Sequence, residues 1–94
     1  MPMARDIDEV IAGLVQQWPA LKWEQLRVAH PGVDDDGIWF FTHPGGRGEV
    51  QVESSTGSAP FLIEGDHEPP VTAATVATTI AIVAGQLGLR DRTG

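Results

Sequence analysis

Two groups of side chains in this sequence could do chemistry. The first is His30, Asp34, Asp35, Asp36, Ser54, Ser55 and Thr56, a histidine, carboxylates and hydroxyls of the kind used in hydrolysis. The second is His43, Arg47, Asp66, His67 and Glu68, two histidines with carboxylates, a donor set that suits zinc or another divalent ion. Neither group carries a motif that fixes geometry. Gly-x-Ser-x-Gly is absent, so nothing poises a serine against a base. Asp34 to Asp36 followed by Gly37 lacks the alternating acids and the glutamate at position twelve of a calcium loop, and reads instead as an acidic hairpin tip. No histidine pair stands at i, i+4 on a helix, so His43, Asp66 and His67 are only weak metal candidates. The reading is that no catalytic residue, cofactor or metal is built into the chain. The alternative is a small metal-binding or hydrolytic protein using these loop residues.

The elements that position those residues follow from periodicity. Ile7, Val10, Ile11, Leu14 and Trp18 fall at i, i+3, i+4, i+7 and i+11, predicting a helix near 6–18. Asp6 is its expected N-cap with Glu9 three residues on, and Pro19 ends it. Leu26 and Val28 alternate with Gln25 and Arg27, predicting a strand. Ile38 to Thr42, Glu49 to Ser54 and Phe61 to Ile63 predict three more, separated by turns rich in glycine and proline. Residues 71–88 predict a second helix, capped by Thr72 or its neighbour, with Val76, Ile80, Val83 and Leu87 as its apolar stripe. The order α-β-β-β-β-α predicts an α+β two-layer sandwich: an antiparallel meander with both helices on one face. One small domain spans 1–94, with an ordered core over 6–89 and a flexible tail over 90–94. In a meander the turns alternate between the two ends of the sheet, so His30 and His43 lie about 16 Å apart and share no metal.

Composition narrows the class further. The 94 residues carry 13 acids and 6 bases, a net charge of −7, with no cysteine. The excess lies in residues 34–70, which hold eight acids and only Arg47. An acidic middle repels phosphate backbones, so nucleic acid is excluded as a partner and a basic protein is favoured. The lack of cysteine favours a cytoplasmic setting, since a small secreted domain usually needs disulfides. The acids that follow Arg5 do not fit a signal peptide.

Two surfaces look unfinished. Strand Ile38 to Thr42 is bulky on both faces, and two helices cover only one face of a sheet. With Trp39 and Phe41 turned to the helices, Ile38 and Phe40 point outward beside Glu49, Gln51 and Glu53; in the opposite register the two pairs exchange. An apolar centre among acids is the look of a partner-binding surface. The other reading has the N-terminal tail, or the 19–24 linker with Trp23, covering that patch. The second surface is the second helix, where Pro69 to Leu89 contains no charge. Ala73, Ala77, Ala81 and Gly85 form a small-residue row and Thr72, Thr75, Thr79 and Gln86 a polar one. Four threonines, a glutamine, two glycines and the lack of basic flanks at both ends argue against a membrane span. A helix of this kind predicts self-association as a homodimer. The sequence therefore reads as a small acidic binding module without catalysis.

Overall fold

The computed structural model describes residues 5–26, 37–54, 56–66 and 69–89. Helix α1 (Asp6–Gln17) buries Ile7, Val10 and Leu14, the stripe that the 3.6-residue period predicts. Its cap lies one residue earlier than the sequence suggests. Arg5 is the N-cap, and its backbone N–H donates to the Asp8 carboxylate at 3.1 Å. Asp6 is drawn away by a tertiary partner: its carboxylate accepts the Ala59 N–H at 2.9 Å. Asp6, Asp8 and Glu9 all sit in the first turn, where the helix dipole favours negative charge.

Among the described residues five strands follow, not four. They are β1 (Lys22–Gln25), β2 (Ile38–Thr42), β3 (Val50–Glu53), β4 (Phe61–Gly65) and β5 (Val71–Ala73). Their order in the sheet is β1-β2-β3-β4-β5, and every pairing is antiparallel. The first strand starts at Lys22 rather than Gln25. The Leu26 N–H still donates to the Ile38 carbonyl at 2.8 Å, and Arg27 and Val28 lie outside the described residues.

The expected helix over 71–88 is divided. Residues 71–73 pair with Phe61 to Ile63 as β5, because two prolines and two β-branched residues favour extended backbone there. Helix α2 (Val76–Leu87) begins only at the next cap, Thr75, whose hydroxyl accepts the Thr78 N–H at 3.1 Å. Thr72, the expected cap, is a strand residue. At the other end Gly88, at φ 75°, closes α2 with the Leu89 N–H on the Ala84 carbonyl and the Gly88 N–H on that of Gly85. The β2–β3 turn seals this end too, since the Arg47 N–H donates to the Leu87 carbonyl at 2.9 Å.

One face of the sheet carries the core. Trp39, Phe41, Val50, Val52, Phe61, Ile63 and Ala73 are buried in one cluster with Ile7, Val10 and Leu14 of α1 and Val83 and Leu87 of α2. Both helices therefore lie on that face, which settles the register of β2 with Trp39 and Phe41 inward. The helices approach closely at Gly13, where a Cβ would fall 2.6 Å from Ile80 Cδ1.

Candidate functional site

The hydroxyl group is spent on loop structure. Ser54 is buried, and its Oγ donates to the Ser58 carbonyl at 2.6 Å, with Thr56 Oγ1 3.4 Å away. Among the described residues no histidine or carboxylate bonds Ser54 Oγ. The 54–60 loop is fastened to the start of α1 by the Ile7 N–H on the Gly57 carbonyl at 2.9 Å and by Ala59 on Asp6. Arg5 completes the junction, with its guanidinium 5.9 Å from the centre of the Trp39 ring. His30, Asp34, Asp35, Asp36 and Ser55 lie outside the described residues.

The candidate metal ligands are also committed. His43 Nδ1 accepts the Gly45 N–H at 2.8 Å, fixing the β2–β3 turn. Asp66 Oδ2 accepts the Glu49 N–H at 2.8 Å and packs on Gly48, whose φ of 70° suits glycine. His67 and Glu68 lie outside the described residues. Among the described residues no three His, Cys, Asp or Glu side chains are grouped to hold a metal ion.

The outer face of the sheet is where predicted residues come together. Residues opposite one another in adjacent antiparallel strands share a face. One row reads Ile38, Glu53, Leu62 and Thr72; its neighbour reads Glu24, Phe40, Gln51 and Glu64. Ile38, Phe40 and Leu62 are only half-buried, and Glu24 and Glu53 are exposed. With strands about 4.8 Å apart, each apolar side chain has a carboxylate-bearing neighbour in the next strand. Glu49, also exposed, stands just before β3. Thus Ile38, Phe40, Gln51 and Glu53 are gathered on one surface, with Glu49 at its margin.

Sequence reasoning missed Glu24, Leu62 and Glu64. The last two were readable, since period two with Phe61 and Ile63 inward turns Leu62 and Glu64 outward. Glu24 was hidden by the misplaced first strand. Of the two expected coverings, the N-terminal tail (residues 1–4) lies outside the described residues, and the 19–24 linker is partly strand. Residues 22–25 are themselves β1, and Trp23 stands opposite Phe41, on the face away from Phe40.

The helix row changes membership. Ala73 is a buried β5 residue paired with Phe61, and so leaves the row. Ala77, Ala81 and Gly85 remain on α2 and are exposed, lining a shallow apolar groove with Trp18, Ile80 and Leu89. The polar row is divided as well. Thr72 and Thr75 face water, but Thr79 and Gln86 are buried. Thr79 can be buried because its hydroxyl donates to the Thr75 carbonyl at 2.7 Å. Among the described residues no helix is long and apolar enough to cross a membrane.

Comparison of the chain with protein-family models, with curated proteins and with solved structures finds no match.

Proposed function

We propose that this chain is a non-catalytic interaction module that binds a basic segment of another protein across the outer face of its sheet. The observation that carries the reading is the pair of cross-strand rows in which Ile38, Phe40 and Leu62 alternate with Glu24, Glu53 and Glu64. Apolar centres supply the area a partner must cover, and the surrounding carboxylates select its charge and raise its encounter rate. A net charge of −7 acts in the same direction at longer range. Support also comes from what the candidate reactive groups are doing. Ser54 Oγ, His43 Nδ1 and Asp66 Oδ2 each already serve a backbone group. The absence of cysteine fits a reducing, cytoplasmic setting. Self-association belongs to the same reading, and the exposed, uncharged Ala77, Ala81 and Gly85 are one surface open to it.

The test is affinity capture from cell extract at about 0.15 M salt, where surface charges still act over roughly 8 Å. Three baits are compared: the unaltered chain, a Glu53→Lys, Glu64→Lys double variant and Phe40→Ser, each confirmed as folded by circular dichroism. The unaltered chain should retain basic proteins that both variants lose. Identical captured sets from all three baits would remove the outer face from consideration.

A further inference from the structure

The two edges of the sheet differ. At one, β5 has only three residues and follows Pro69 and Pro70, features that blunt an edge against further pairing. At the other, β1 has four residues, no proline, and Trp23 at 47% exposure, the most exposed large hydrophobic among the described residues. Backbone direction along β1 follows from its ladder. The Leu26 N–H bonds to Ile38, and antiparallel residues alternate in the side to which they bond. Leu26, Glu24 and Lys22 therefore turn their backbone groups toward β2, and Trp23 turns its N–H and C=O to the other side, where no strand among the described residues pairs with β1.

We propose that two copies of the chain pair through β1, antiparallel about a twofold axis at Trp23, so that their sheets become one. The proposal rests on the reading of the chain as a self-associating module and assigns the surface. Charge complementarity selects both the occupant and the register. The Lys-Trp-Glu order of residues 22–24 is self-complementary when reversed. With Trp23 opposite the partner's Trp23, Lys22 stands opposite the partner's Glu24 and Glu24 opposite the partner's Lys22. The two charge pairs lie on the outer face and the tryptophan pair on the helix side. Shifting the axis by one residue sets Lys22 against the partner's Lys22, or Glu24 against the partner's Glu24. Both alternatives place like charges face to face, which is destabilising. In the favoured register the Trp23 residues exchange two N–H···O=C bonds. The Lys–Glu pairs then occupy the closer, non-hydrogen-bonded positions, with Cα atoms about 4.5 Å apart. Pairing of this kind also joins the two acidic outer faces into one surface, giving a basic partner two equivalent places to bind.

A contact of two four-residue strands is smaller than that of tight dimers, so the association is concentration-dependent. Sedimentation equilibrium of the full chain from about 10 µM to about 1 mM covers the range expected of an interface this small. The unaltered chain should move from monomer toward dimer across it. Lys22→Glu and Glu24→Lys each turn two attractive contacts into two repulsive ones and should weaken the dimer by about tenfold or more. The double reversal Lys22→Glu, Glu24→Lys restores opposite charges and should return the dimer to within about threefold of the unaltered chain. An unaltered chain that stays monomeric throughout overturns both this pairing and self-association. A dimer indifferent to the β1 reversals but split by Ala81→Glu overturns this pairing alone and leaves self-association in place through α2. A double reversal no better than the single ones also overturns it.

Discussion

Replacing Gln86 by methionine should stabilise this protein. Gln86 is buried under the sheet, and among the described residues its Oε1 has no hydrogen-bond donor. The amide lies against Gly65, which leaves room for it only by having no side chain. An unpaired buried acceptor costs about 1–3 kcal/mol. Methionine has nearly the same length and shape, carries no polar atom that needs a partner, and adapts to irregular space. Any hydrogen bond lost from the amide nitrogen offsets about 0.5–1 kcal/mol of the gain. The net expectation is stabilisation of about 1 kcal/mol, or roughly 4–8 °C in Tm for a domain of this size. Urea unfolding followed by tryptophan emission is the direct assay, because Trp39 lies in the same core. With a slope of about 1 kcal/mol/M the midpoint should rise by about 1 M, and the slope itself should not change. An unchanged or lower midpoint would refute the reasoning, since it would mean that the acceptor is satisfied in solution.

Three further outcomes follow from contacts already described. Gly65→Ala drives a Cβ into the Gln86 amide and should cost about 1–3 kcal/mol by urea unfolding, most of it recovered when Gln86→Ala is added. Asp6→Ala removes the acceptor for the Ala59 N–H and should cost about 1–2 kcal/mol, with that amide exchanging faster by NMR hydrogen exchange. Thr75→Ala removes the N-cap of α2 and should lower stability by about 1 kcal/mol, while Thr78→Ala, which keeps the backbone donor, should cost less.

The architecture was legible because its elements obey clean periods. Ile7, Val10 and Leu14 mark α1, and the inward and outward alternation of β3 follows from Val50 and Val52. What stayed hidden depends on distant partners. Asp6 has the chemistry of a cap, and nothing near it in sequence shows that Ala59 will claim its carboxylate. A strand of three residues has too few positions to show a period, so Val71 to Ala73 merged with the helix that follows. Ala73 looked like part of a small-residue helix row, yet it packs inward opposite Phe61. Thr79 and Gln86 looked like a wet face, yet Thr79 satisfies its hydroxyl within its own helix and Gln86 accepts burial against Gly65. For the outer face, residue types gave the surface and strand register gave its membership. Gln51 and Glu53 were readable from alternation alone, Ile38 and Phe40 only once the core settled which face of β2 is inward, and Glu24 only with the true position of β1.

The meander has a consequence for the order in which structure forms. Each strand pairs with the strand next to it in the chain, and the connections from β2 to β5 are short. Helix α2 then packs on β3, β4 and β5, which precede it closely in sequence. Helix α1 is different. Its first turn is tied to residues 57 and 59, the Asp6–Ala59 bond spans 53 positions, and Gly13 meets Ile80 near the far end of the chain. Contacts of such long separation carry the largest closure entropy and form late. On these closure costs the amides of α1 should exchange with solvent before those of the β2–β3–β4 ladders, which native-state hydrogen exchange measures. Opening of α1 alone would bare part of the core that it shares with Trp39 and Phe41.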